Sequence, residues 1–146
     1  MKKNLTSYLL VLLQLSTIAV ILGTGSFFCK NAYLLAVEII GIFLVAYAVW
    51  SMKKGNFNIT PIPKEHAELR TTHFYKVIRH PMYSSTLICL FPLIIDFYSL
   101  IRLFLFIALL IILIIKLNFE EGLLIKQFPE YEDYKKTSWK LIPFIY

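Results

Sequence analysis

Charge is scarce in this chain. Only 16% of its 146 residues are Asp, Glu, Lys or Arg, and nine of them are acidic. A soluble domain of this length carries far more charge, so that class is excluded. Cysteine is scarce too. Cys29 and Cys89 fall in or beside separate apolar stretches with no C-x-x-C spacing, which indicates neither a zinc site nor a disulfide framework and makes both small apolar fillers. There is no internal repeat, no low-complexity tract and no second globular domain. Nor does an A-x-A-like site follow the first apolar run, which is longer than a signal-peptide core and is expected to stay as a membrane span.

Hydrophobic residues fill 58% of the chain and the mean hydropathy is +0.69, which places it in a bilayer. The net charge of +6 comes from basic residues beside the apolar runs, so membrane lipids with anionic headgroups, and no nucleic acid, are the expected partners. At about 1.5 Å per helical residue, about 20 residues cross about 30 Å of hydrocarbon. Apolar runs over about 5–28, 32–52, 81–97 and 99–117 therefore predict four transmembrane helices, the last two forming a hairpin. The expected fold is all-α and integral to the membrane, one domain over residues 1–146. It has a polar loop over 53–80 and an amphipathic C-terminal segment over 118–146 that leaves along the membrane surface. Within the loop, Pro61 and Pro63 favour an extended entry, and Glu65–Thr71 is expected to form a short interfacial helix.

Thirteen of the fifteen Lys and Arg residues fall on one side of this map, leaving Lys30 and Arg102 on the other. The positive-inside rule then predicts a multi-pass protein with both termini in the cytoplasm. It also places two polar groups together. Arg79-His80-Pro81-Met82-Tyr83 opens the third run and Glu120-Glu121 lies just past the fourth, and a hairpin begins and ends on the same face. Pro81 suits a first helical position and holds His80 out of helical geometry. The helix start offers free N–H groups and a positive dipole end, a seat for a carboxylate or phosphate, and Arg79 adds a permanent charge. The alternative is that Arg79 and His80 meet lipid phosphates at the interface.

Two carboxylates near hydrocarbon demand partners. Neighbours on a helix diverge by about 100°, so Glu120 and Glu121 suit two separate hydrogen-bonding jobs rather than one shared metal. Lys116 shares the face of Glu120. His66 and His73 read as loop histidines at the interface, with no metal expected. Glu38, inside the second run, calls for a function or for a partner such as Lys30.

Taken in order, these residues resemble the membrane-embedded isoprenylcysteine carboxyl methyltransferases and their phospholipid methyltransferase relatives. The resemblance runs from Asn58 to Phe144. It rests on Pro61-x-Pro63, Leu69 before Tyr75, Arg79-His80-Pro81-Met82-Tyr83, Glu120-Glu121, Phe128, Glu130-Tyr131, Tyr134 and Leu141-Ile142-Pro143. It implies methyl transfer from S-adenosylmethionine to a lipophilic acceptor, an isoprenoid or prenyl-linked carboxylate, in a cytoplasmic-facing site. Carried over, Ala67, Glu68, Leu69, Arg70, Tyr75, Arg79, His80, Pro81, Met82 and Glu121 would bind the cofactor. Glu120 and Lys116 would face the substrate as catalytic residues.

The chain departs from the family at several positions. Lys116 stands where the family has a substrate-holding arginine, keeping the charge but losing the bidentate fork. His73, Ser85 and Pro129 stand at family glycines. Two other readings stay open: an NADPH-dependent sterol or isoprenoid reductase, whose last helices are similar, and a non-catalytic small membrane protein with a degenerate site. A prenylated protein, a free isoprenoid acid and a lipid amine would all enter laterally. No small-x-x-x-small seam stands out, so the spans do not specify an oligomeric state.

Overall fold

The computed structural model describes residues 2–52, 58–63 and 66–146, and among them every regular element is helical. In chain order these are α1 (Lys2–Gly23), α2 (Ala32–Ser51), a short 3₁₀ helix (His73–Lys76), α3 (Pro81–Asp96), α4 (Leu100–Gln127) and α5 (Tyr131–Thr137). Among the described residues, three stretches are long and apolar enough to cross a bilayer: Asn4–Gly23 of α1, α2 and α4, with mean hydropathies of 2.1, 2.3 and 2.9. The chain is a membrane protein. Helix α3 is also apolar, but at 16 residues it is shorter than these.

Local chemistry sets the ends of the helices. Helix α1 stops at Gly23, short of the expected residue 28, and the N–H and hydroxyl of Thr24 both return to the Val20 carbonyl at its end. The Asn31 side chain accepts from the Tyr33 and Leu34 N–H groups and starts α2. Ser99 does the same for α4 through the Arg102 N–H, and Pro81 opens α3 at a position where its missing N–H costs nothing.

Helix α2 packs along α3, α1 along α4, and α3 touches α4. Gly41 makes the first contact close: a Cβ there would lie 2.6 Å from both the Cα and the N of Cys89. Ile21, Leu93, Leu109, Leu113 and Leu117 form the centre of the apolar core. Remote from the Arg79 end of α3, buried Arg102 donates to the Ile21 carbonyl at 3.3 Å and the Phe97 carbonyl at 3.4 Å, tying the C-terminal ends of α1 and α3. The Asp96 carboxylate accepts from the Lys30 and Asn31 N–H groups. Glu38 does not pair with the Lys30 side chain. Its Oε2 accepts from the Cys29 N–H at 2.9 Å, while the Lys30 ammonium lies over the Phe97 ring.

Two further expectations change. Residues 66–71 form no helix, and Glu65, like Lys64 and residues 53–57, lies outside the described residues. The Arg70 Nε donates to the Ser51 carbonyl at the end of α2, which holds this segment open rather than wound. The C-terminal segment is not one amphipathic helix either. Residues 118–127 prolong α4, α5 has seven residues, and the tail folds back on the entrance of α3. There the Arg79 N–H donates to Trp139, the His80 N–H to Lys140, and the Trp139 N–H to Val77, a short parallel pairing of extended backbone.

Candidate active site

The tail pairing matters because it fixes Arg79 and His80. Arg79, 9% exposed, donates from Nε to Glu121 Oε1 at 2.7 Å and from Nη1 to the carbonyls of Lys135, at 3.1 Å, and Ser138. Its Nε and Nη1 are therefore committed to the protein. The helix start is largely committed as well, since Pro81 has no N–H and those of Tyr83 and Ser84 return to the His80 carbonyl. The Ser84 hydroxyl in turn donates to the Leu141 carbonyl at 2.5 Å.

His80 bridges the two acids. Its Nε2 lies 3.4 Å from Glu121 Oε1 and its Nδ1 3.7 Å from Glu120 Oε2, while its ring stacks on Tyr83 with an interplanar angle of 2°. The acids then part, as adjacent positions on one helix must. Glu121, 5% exposed, also receives the Tyr131 hydroxyl at 3.3 Å and has Lys140 Nζ at 3.8 Å. Glu120 turns the other way, accepts from the Tyr83 hydroxyl at 2.8 Å, and lines a cavity between the helices.

That cavity measures about 310 Å³. Helices α1 and α2 form one wall, residues 58–63 and 67–70 with Tyr75 a second, and the start of α3 and the middle of α4 a third. Of the site residues named from the sequence, Ala67, Glu68, Leu69, Arg70, Tyr75, Arg79, His80, Pro81, Met82, Lys116 and Glu120 line it; Glu121 lies behind Arg79 and His80 and does not. Lys116 is buried, and its Nζ donates to Gln14 Oε1 at 2.6 Å and to the Ile59 carbonyl at 3.5 Å, over the Tyr83 ring. Gln14 was not singled out in the sequence, although a lone amide inside an apolar span is a recognisable signal. Ser138 and Lys140 carried no such signal, because only the folded tail brings them to Arg79 and Glu121.

Three tyrosines, Tyr75, Tyr83 and Tyr131, line the cavity. Burial raises the phenol pKa of Tyr75, with Glu120 adding to the effect, and likewise that of Tyr131, next to Glu121. Burial pushes Tyr134 up to about 12, and its hydroxyl donates to the Tyr75 carbonyl. The phenols of Tyr75, Tyr131 and Tyr134 all stay neutral at physiological pH, and those of Tyr131 and Tyr134 donate. The Tyr75 hydroxyl is buried in the cavity wall with no hydrogen-bond partner among the described residues. His73 has a φ of +57°, the left-handed backbone that glycine adopts freely. Ser85 is fully buried and bonds back to the Pro81 carbonyl at 2.7 Å.

A second, almost wholly apolar cavity of about 280 Å³ lies between α1, α2 and α3 and shares Val45 and Thr86 with the first. Apolar helices around a cavity whose lining includes Glu120, Lys116 and Arg79, with an apolar cavity adjoining it, define a membrane protein with a charged site among its helices. The phospholipid methyltransferase family model matches residues 30–131, and the chain belongs to that family of membrane methyltransferases. A search of curated proteins found none that matches.

Proposed function

We propose that this protein transfers a methyl group from S-adenosylmethionine to a lipophilic acceptor, an isoprenoid or prenyl-linked carboxylate, that enters laterally from the bilayer. The observation that carries this reading is the 310 Å³ cavity, whose walls unite eleven of the twelve residues named from sequence resemblance. Its volume falls within the range of about 300–1,000 Å³ common for small-molecule sites. The buried, unpartnered Tyr75 hydroxyl supports a polar ligand beside it, since a buried donor left unmade costs about 1–3 kcal/mol. Arg70, engaged among the described residues only through Nε, keeps its terminal nitrogens for the ligand's carboxylate. Met82 and Leu69 add apolar wall. Arg79 and Glu121, with their valences filled by each other and by the tail, hold His80 and the start of α3 in place.

When bound, the cofactor supplies an electrophilic methyl carbon on a positively charged sulfur. An acceptor carboxylate is already ionised at neutral pH, so no general base is needed. Its oxygen would take the methyl group, a C–O bond forming as the C–S bond breaks, and the sulfonium and carboxylate charges would cancel together. Alignment and exclusion of water are then the protein's task, and holding the reacting atoms about 3–3.5 Å apart supplies much of the rate gain. Lys116 and Glu120 face the acceptor, whose chain extends into the adjoining apolar chamber. Helix α3 makes a fourth crossing, and both termini and the site face the cytoplasm.

Membranes containing the protein, given methyl-labelled S-adenosylmethionine, should form a labelled lipid-soluble product. Glu120→Gln and Lys116→Met should abolish it. NADPH oxidation without labelled product would favour the reductase reading, and neither signal would leave an inert site. Reporter tags at each terminus test the orientation.

A further inference from the structure

Helix α1 lies outside the stretch that matches the family, yet it supplies one polar side chain to the cavity. That residue is Gln14, about 15 Å along the helix from Asn4 at 1.5 Å per residue, deep in the apolar span. Its Oε1 accepts from Lys116 Nζ at 2.6 Å. An ammonium only donates, so the amide must turn its oxygen to Lys116 and its NH2 away. That NH2 has no partner among the described residues, and it is not sealed off in the packing. Lys116 in turn uses two of its three N–H bonds on Gln14 and the Ile59 carbonyl, leaving one.

The geometry points to a two-donor seat: we propose that the Gln14 NH2 and the remaining Lys116 N–H together hold the anionic oxygen of the acceptor lipid, so that α1 sets the acceptor class. The inference rests on the proposed lipophilic acceptor and says which side chains hold its anionic oxygen, a carboxylate there or the phosphate of a lipid headgroup. The pair also accounts for the lysine at a family arginine position. A guanidinium offers a fork of parallel donors by itself, whereas an ammonium is a point charge that needs a second donor fixed beside it. Gln14 would be that donor. It fixes Lys116 through its oxygen and completes the fork through its nitrogen.

Gln14→Glu separates this role from simple support of Lys116. The carboxylate still accepts from Nζ, so the lysine stays in place, but the NH2 donor becomes a second acceptor that repels an anion. The assay is equilibrium binding of long-chain probes to the purified protein in nanodiscs: an alkyl carboxylate, a monoalkyl phosphate, the matching alcohol and the matching amine. The parent should bind at least one anion more tightly than the alcohol and the amine. Loss of one charge-assisted bond should weaken that anion's binding by about tenfold or more in Gln14→Glu, with alcohol binding unchanged. Whichever anion wins tells a carboxylate acceptor from a phosphate headgroup. An amine bound as tightly as either anion, or an anion preference that survives Gln14→Glu, overturns the proposal. S-adenosylmethionine binding, measured on the same samples, should not change. Because the readout is binding, absence of methyl transfer would count against the proposed reaction and not against the seat.

Discussion

Glu120 and Glu121 are neighbours in sequence, and the structure gives them different work, so removing each should damage a different property. Glu121 is 5% exposed and neutralises Arg79, which is 9% exposed, through a 2.7 Å bond. Taking away one member of a buried ion pair leaves the other charge uncompensated, at about 3–5 kcal/mol. Arg79 retains the Lys135 and Ser138 carbonyls, which places Glu121→Ala near the lower end, about 3 kcal/mol. At about 2–4 °C per kcal/mol for a chain of this size, unfolding should begin about 6–12 °C lower. Glu120 is 26% exposed at its side chain and receives one hydrogen bond, from Tyr83, so Glu120→Ala should cost only about 0.5–1.5 kcal/mol while methyl transfer is lost. A thiol-reactive dye follows the unfolding through the two free cysteines, Cys29 buried and Cys89 half-buried. Equal shifts for the two variants, or a Glu121→Ala protein that melts with the parent, would refute the division of labour.

Three other outcomes follow from the geometry. Gly41→Leu forces a side chain into the backbone of Cys89 and should prevent α2 from seating on α3, seen as dye labelling of Cys29 and Cys89 at temperatures where the parent is protected. At His73 the φ of +57° costs a non-glycine residue about 1–2 kcal/mol, and His73→Gly relieves that at about 0.5–1 kcal/mol of extra chain entropy, so it should be neutral to slightly stabilising, whereas the β-branched His73→Val should be clearly destabilising by the same melting assay; equal melting of the two would contradict the strained backbone. Tyr134 has its phenol raised from 10.0 to about 12, so the folded state holds that proton more tightly than the unfolded chain. Stability should be unaffected by this group below pH 10 and decline between pH 10 and 12, and Tyr134→Phe should flatten that decline.

The helices were legible from sequence because each boundary is local chemistry. Asn31, Ser99 and Pro81 start helices by what their own side chains do to the next turn. The errors came where a distant contact overrides the local pattern. Residues 66–71 have helix-compatible composition, yet Arg70 is held by the Ser51 carbonyl across a gap of 19 positions. The C-terminal segment has an amphipathic pattern, yet residues 138–141 find open backbone partners at Val77–Ser84 and leave the helix to use them.

By itself, the sequence determined that this is a helical membrane protein, because composition leaves too little polar surface for water. It also determined that Arg79-His80 and Glu120-Glu121 share one end of the molecule, because two consecutive apolar helices return the chain to the face it left. That the two acids point apart follows from the helical period alone. Which of them meets Arg79 and which meets the cavity was decided only by tertiary structure, since it depends on the rotation of α4 about its own axis. Packing against α1, α3 and α5 fixes that rotation, with Leu109, Leu113 and Leu117 on the buried face that Glu121 continues. The same rotation turns Lys116 toward Gln14, a partner 102 positions away, and so completes the chamber.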